Sequence, residues 1–340
     1  MRNNPSLRLS ERGLAPTLGA CAAVLGVALG GSVLMLAQEK APLPTGPTLK
    51  VTSSVVNVYA VVKDRKGHMI ANLSKDDFEI ADNKLPVEIR YFARETDTPL
   101  TLGIMVDTSP SQGRVLDAEK REAEAFLRQV MRPKDLAFVL HFDVEVELLQ
   151  DFTANPQLLG HAIELAQING GAAGVLPAPL PTGDSGGATH LYDAIYLAAN
   201  ELMKNEIGRK VLILLTDGED QGSKVKLETA LEAAQKTDLM IYSVAIIDRS
   251  FYWGHDVGFG GDAVLKKLSD ETGGRVLEVS RIKDTSAAFQ QIADELRTQY
   301  LLGYVPTDAR TDGSYHKIQV RTKNGDFKVQ ARRGYYAPTS

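Results

Sequence analysis

Leu100-Thr101-Leu102-Gly103-Ile104-Met105-Val106-Asp107-Thr108-Ser109-Pro110-Ser111 is the stretch that decides the fold. A short, continuously apolar run bounded by turn residues reads as a strand covered on both faces, as in a parallel sheet. It ends on an aspartate followed by hydroxyls at every second position. A second run, Val211-Leu212-Ile213-Leu214-Leu215-Thr216, ends on Asp217. Elsewhere Thr189 follows Gly186-Gly187-Ala188 and opens a helical pattern. In an open α/β sheet, loops converge and ligands bind at the carboxyl ends of parallel strands. Asp107, Ser109, Ser111, Thr189 and Asp217 are therefore expected to meet at one edge. Such oxygen ligands suit a hard divalent cation, Mg²⁺ (or Mn²⁺). Three of the five are neutral, so the cation would keep charge for an outside oxygen, such as a partner's Asp or Glu carboxylate. That chemistry fits metal-dependent capture of a protein better than hydrolysis, which needs a base beside an activated water.

The intervening pattern alternates strands with helices. Ala118 to Met131 is expected to be an amphipathic helix, with Ala123, Phe126, Leu127 and Val130 on its apolar face. Leu136 to Phe142 and Val144 to Leu149 read as a strand pair. Helices are expected over Pro156 to Ile168, Leu191 to Lys204, Val225 to Lys236, Asp262 to Glu271 and Asp284 to Thr298, with strands at Leu239 to Ile246 and Arg275 to Val279. The fold class is α/β, a doubly wound, mostly parallel sheet of Rossmann-like type.

Asp107-x-Ser109-x-Ser111, Thr189 within Gly187-Ala188-Thr189-His190-Leu191-Tyr192-Asp193-Ala194-Ile195, and Asp217 within Thr216-Asp217-Gly218 resemble the metal-ion-dependent adhesion site of von Willebrand factor A domains. The resemblance runs from Thr98 to Thr298, about 200 residues, the size of one domain. It implies that those five residues hold the metal, that the module binds protein and that it has no catalytic residues. The Gly/Pro-rich stretch from Asn169 to Ala188 departs from the pattern and leaves the binding rim open.

The flanking segments are β-like. Leu49 to Val62 and Val87 to Phe92 alternate, Phe78 to Ile80 precedes a turn at Asp82-Asn83-Lys84, and Tyr300 to Tyr304, His316 to Thr322 and Phe327 to Ala331 read as strands. Neither end is large enough for its own core. Residues 49–97 and 299–340 are therefore expected to build one small β-sandwich, with the A domain, 98–298, inserted between them. This arrangement is similar to that of bacterial "VWFA-related, acidobacterial-type" proteins, whose segments like Asp76-Asp77-Phe78 and Arg333-Gly334-Tyr335 are matched here. Residues 1–37, with Arg2, Arg8 and Arg12 ahead of an apolar run over 18–37, read as a signal peptide or membrane anchor, and 38–48 as a linker. Either reading places the folded part outside the cytoplasm, with 18–37 a possible membrane tether. Leu18-Gly19-Ala20-Cys21 loosely matches a lipoprotein box, but most of the apolar run follows Cys21, against lipidation.

Net charge −5 and pI ≈ 5.8, without a basic stripe, argue against nucleic acid as a partner. Gly183-Asp184-Ser185-Gly186-Gly187 matches the nucleophile segment of chymotrypsin-like proteases. No histidine has a protease-like setting, and the pattern around it is α/β, so the segment reads as a loop and a serine hydrolase is the remote alternative. A nearer alternative is a structural component of an envelope complex, with the metal only ordering loops. His190 is expected at a solvent-facing helix start, and Glu219 and Asp220 as solvated loop charges. Phe251-Tyr252-Trp253-Gly254-His255 fits a contact loop or an aromatic lid equally well.

Overall fold

β5 (Leu100–Asp107) is buried along its whole length and lies near the middle of a six-stranded sheet of order β10-β9-β8-β5-β6-β7. The computed structural model describes residues 55–94, 98–168, 189–246, 260–279, 281–308 and 311–339. The signal or anchor segment, the linker, the 169–188 stretch with Ser185, and the aromatic segment 251–255 lie outside the described residues. The other strands of the sheet are β6 (Leu136–Phe142), β7 (Val146–Thr153), β8 (Arg209–Leu215), β9 (Leu239–Ile246) and β10 (Val276–Val279). All pair in parallel except β7, which runs antiparallel to β6 at one edge.

Alternate residues of the central strands feed two cores. Leu102, Ile104 and Val106 of β5, with Val211, Ile213 and Leu215 of β8, pack under α1 (Leu116–Val130), α2 (Pro156–Leu165) and α6 (Thr285–Arg297). Met105, Leu212 and Leu214 face α3 (Leu191–Leu197), α4 (Leu227–Lys236) and α5 (Gly261–Thr272). Helices on both faces explain why these runs are continuously apolar. Full burial of each such aliphatic side chain is worth roughly 1.5–3 kcal/mol. After β5 the chain winds first to β6 and then crosses to β8 on the other side. The strand order thus reverses at β5/β8, the kind of crevice where open α/β sheets bind ligands.

The flanking strands form two four-stranded antiparallel sheets. β1 (Val56–Lys63) lies between β11 (Tyr300–Tyr304) and β13 (Lys328–Ala331), and β4 (Ile89–Arg94) closes the far side of β11. The second sheet has the order β14-β12-β2-β3, from β14 (Gly334–Tyr336), β12 (Tyr315–Thr322), β2 (Phe78–Asp82) and β3 (Leu85–Val87). Val58, Ala60, Phe78, Ile80, Leu302, Tyr304 and Ile318 share one core drawn from both ends of the chain. At its centre Asp82 accepts from Tyr304 Oη at 3.0 Å and Tyr335 Oη at 3.3 Å, and pairs with His316 Nδ1 at 2.9 Å.

Some boundaries differ from the sequence expectation. Val87 to Phe92 is not one strand: β3 pairs with β2 and β4 with β11, so the chain changes sheets at Glu88. Asn83 and Lys84 both take positive φ, 48° and 70°, as a tight two-residue hairpin between β2 and β3 requires. α2 ends at Leu165 rather than Ile168, and β7 begins at Val146 rather than Val144. β14 was not anticipated. Among the described residues no helix is long and apolar enough to cross a membrane.

Candidate metal centre

Asp107 is the last residue of β5, and the register pairing Val106 with Leu215 brings it level with Thr216 at the end of β8. Thr216 Oγ1 donates to Asp107 Oδ2 at 2.6 Å, and Ser109 N donates to Oδ1 at 2.9 Å. Both carboxylate oxygens are thus held by the protein. Pro110 opens a 3₁₀ turn over Pro110–Gln112, which folds Ser111 back beside Ser109, with the two Oγ atoms 3.1 Å apart. From the same turn, the Gln112 amide nitrogen donates to Asp217 Oδ2 at 2.8 Å, while Asp217 Oδ1 accepts from Glu219 N at 3.2 Å. Four of the five expected residues are therefore joined through short hydrogen bonds. Thr189 reaches the same loops through its backbone: its N–H donates to Gln221 O at 3.0 Å and its carbonyl accepts from Gln221 N at 2.8 Å. Asp107, Ser109, Thr189 and Asp217 are all buried.

Several supporting residues were not singled out in the sequence. Buried Asp143 accepts the Thr108 hydroxyl at 2.9 Å, and its carbonyl accepts the His190 N–H at 2.7 Å. It thereby links the loop of Asp107 and Ser109 to that of Thr189. Glu219 and Asp220 are more than solvated loop charges. Glu219 Oε1 accepts from Gly260 N and Gly261 N at 2.9 and 3.1 Å, capping the start of α5. Asp220 Oδ1 accepts from Tyr192 N at 3.1 Å and Ser223 Oγ at 2.6 Å. Gly218 has φ 87°, and α5 approaches so closely that a Cβ on Gly261 would lie 2.1 Å from the Asp217 carbonyl oxygen. Only glycine permits that contact.

The electrostatics are those of a site that lacks positive charge. Burial, and then the neighbouring Asp217 carboxylate, push Asp107 up to about 7, against the opposing hydrogen bonds from Ser109 and Thr216. Glu119, in the first turn of α1, is wholly buried, and burial followed by Asp107 and Asp217 raises it well above the usual carboxylate range. Neither of its oxygens has a hydrogen-bond partner among the described residues, and the same holds for Gln112 Oε1. The sequence did carry a signal for Glu119: it stands in the stripe of Leu116, Ala123, Phe126, Leu127 and Val130. Orphaned buried acceptors beside two buried carboxylates and a hydroxyl pair fit a hard divalent cation. Among the described residues no cluster of three or more His, Cys, Asp or Glu is placed to hold a metal, so such a cation would draw on hydroxyls.

One pH effect follows for the metal-free protein. Asp107 ordinarily titrates at 3.8, and the folded chain holds its proton up to about 7. Between those values the folded state binds more protons than the unfolded one. The stabilisation present below 3.8 is therefore lost as pH rises, levelling off above about 7. In chelator, the melting temperature of Asp107→Asn relative to wild type should climb by several degrees between pH 5 and pH 8, as roughly expected for a difference of a kcal/mol or more. A difference independent of pH would contradict this account of Asp107.

A doubly wound sheet whose switch point gathers hydroxyls and paired carboxylates defines a class, and residues 181–294 match the family model of the von Willebrand factor type A domain. The chain carries such a domain. Among solved structures, the chain is similar to a von Willebrand factor type A protein from Catenulispora acidiphila, at 13% identity over 80% of this chain and 75% of that one, with TM-score 0.47. It is also similar to proximal thread matrix protein 1 from the mussel byssus, at 15% identity over 64% of this chain and 51% of that one, TM-score 0.47. A structure of the mussel protein with a zinc-occupied MIDAS motif matches at 13% identity over 60% and 50%, TM-score 0.43. The chain thus spans about half the length of the mussel protein. No curated protein matches the chain.

Proposed function

We propose that the chain is a protein-binding module that captures an acidic residue of its partner through Mg²⁺ (or Mn²⁺) held by Asp107, Ser109, Ser111, Thr189 and Asp217. The observation that carries this reading is the Ser109–Ser111 hydroxyl pair, 3.1 Å apart, beside two buried carboxylates at the switch point of the sheet. When bound, the cation supplies a positive centre that a carboxylate can join. Asp107 and Asp217 orient the loops: each has both oxygens engaged by protein donors. Ser109, Ser111 and Thr189 add no charge, so they leave attraction for an outside anion. In a partly desolvated crevice that attraction is far stronger than in bulk water. The apolar run over 18–37 supports a position outside the cytoplasm.

One hydroxyl–imidazole–carboxylate chain occurs among the described hydrogen bonds. Thr108 Oγ1 lies 3.2 Å from His141 Nδ1, and His141 Nε2 lies 3.1 Å from Glu147 Oε2. Thr108 is fully buried, and its hydroxyl donates to Asp143, so it has no access to a substrate. The alternative of a permanent envelope component predicts retention in chelator.

Capture of a partner from the native envelope should occur with Mg²⁺ and fail in chelator. Thr189→Ala should weaken cation and partner together, by about tenfold or more, since loss of a group supporting a metal site typically costs 10–100-fold. Ser185→Ala should change neither. Capture that proceeds equally well in chelator, or its loss in Ser185→Ala alone, would overturn the metal-dependent mechanism.

A further inference from the structure

We propose that Glu119 serves the metal centre from the α1 side through the cation's water shell rather than as a direct ligand, and sets how firmly the site holds the cation before any partner arrives. The inference rests on the reading of the site given above, and extends it to a residue outside the Asp-x-Ser-x-Ser pattern. Its first support is position. Leu116, Glu119, Lys120, Ala123, Phe126, Leu127 and Val130 form the buried stripe of α1. Lys120 leaves that stripe by sending its ammonium to the carbonyls of Glu164 and Ala166, at 2.7 and 2.9 Å. Glu119 has no such exit: it is fully buried, with both oxygens unpartnered among the described residues.

The second support is the contrast with its neighbours. The oxygens of Asp107 are engaged by Ser109 N and Thr216 Oγ1, and those of Asp217 by Gln112 and Glu219 N. Those two carboxylates are held in place by the protein, whereas Glu119 keeps its full accepting capacity. Gln112, in the 3₁₀ turn ahead of α1, likewise gives its amide nitrogen to Asp217 and leaves Oε1 without a donor. A fold with no use for these acceptors would be better served by apolar side chains, since buried polar groups without partners are destabilising. A hard cation that retains water in its shell brings the donors that both residues lack.

The test is titration of the purified chain with Mn²⁺ alone, read by calorimetry and by the signal of free Mn²⁺, together with metal-free melting. Glu119→Gln keeps the shape and removes the charge. It is expected to weaken Mn²⁺ binding by about 10–100-fold, the range typical for carboxylates supporting a metal site, without lowering the metal-free melting temperature. Asp117→Asn, an exposed acid in the same helical turn, should bind as wild type does. Glu119→Asp draws the same charge back by one carbon and should fall between, and it carries the test if Glu119→Gln does not fold. Wild-type affinity in whichever variant folds overturns the role of Glu119 while leaving the five-residue site standing. Absence of saturable Mn²⁺ binding in wild type removes the site and this inference together.

Discussion

Asp107→Ala and Asp217→Ala should each abolish saturable Mg²⁺ or Mn²⁺ binding, a loss beyond roughly 100-fold, because each carboxylate both supplies negative charge to the site and holds the loops that carry the hydroxyls, whereas a single supporting group typically costs 10–100-fold. The sheet should survive both changes. β5 and β8 are fixed by Leu102, Ile104, Val106, Val211, Ile213 and Leu215, all buried beneath helices and independent of the two aspartates. Asp217→Ala also removes the buried carboxylate that raises the cost of ionising Asp107, which offsets part of the hydrogen bonding lost. Circular dichroism should therefore report native secondary structure in variants that calorimetry reports as unable to bind. Saturable binding of wild-type strength in either variant would move the metal site elsewhere.

Removing every residue after Thr298 should release the N-terminal strands altogether. β1 has two neighbours in its sheet, β11 and β13, and both lie beyond that point. β2 keeps only the three-residue β3 once β12 is gone, and β4 loses its partner β11. A two-stranded hairpin is marginal in water. Amide exchange over 56–63 and 78–94 should accelerate by about a thousandfold or more, toward the fraying limit of local opening. The six-stranded sheet should remain protected, because its strands pair only with one another. Strands at 56–63 that stay protected after the truncation would show that the two ends do not depend on each other.

The α/β part was legible because burial on both faces leaves a clear imprint: β5, β8 and β9 are predominantly apolar and almost wholly buried, and the carboxylates stand at the ends of the first two. Alternation was less informative at the flanks. Leu85 to Arg94 alternates acceptably across Glu88, so nothing local revealed that the chain changes sheets there. β14, three residues long, carries too little pattern to read at all. In the candidate site, Asp107, Ser109, Ser111, Thr189 and Asp217 were readable as a spaced set, whereas the supporting groups act across long separations. Glu219 caps a helix that starts 42 residues later, and Gln112 meets Asp217 across 105. Such partners are settled by tertiary packing, and single-residue chemistry gives no hint of them. Glu119 was the exception: a charge within an apolar stripe was visible, and its meaning came only with the burial of both oxygens.

The pairing of Arg94 with Tyr300 has one more consequence. The chain leaves the sandwich along β4 and returns along β11, at directly opposed positions of one antiparallel ladder, about 5 Å apart at Cα. Everything between them is topologically a loop whose ends the host holds together, at a closure cost that grows only with the logarithm of its length. The sandwich is thus a ready-made socket. Any cassette with neighbouring termini could be transplanted into it without re-registering a single host strand, and the inserted α/β unit could be moved to another β host through the same two-point splice.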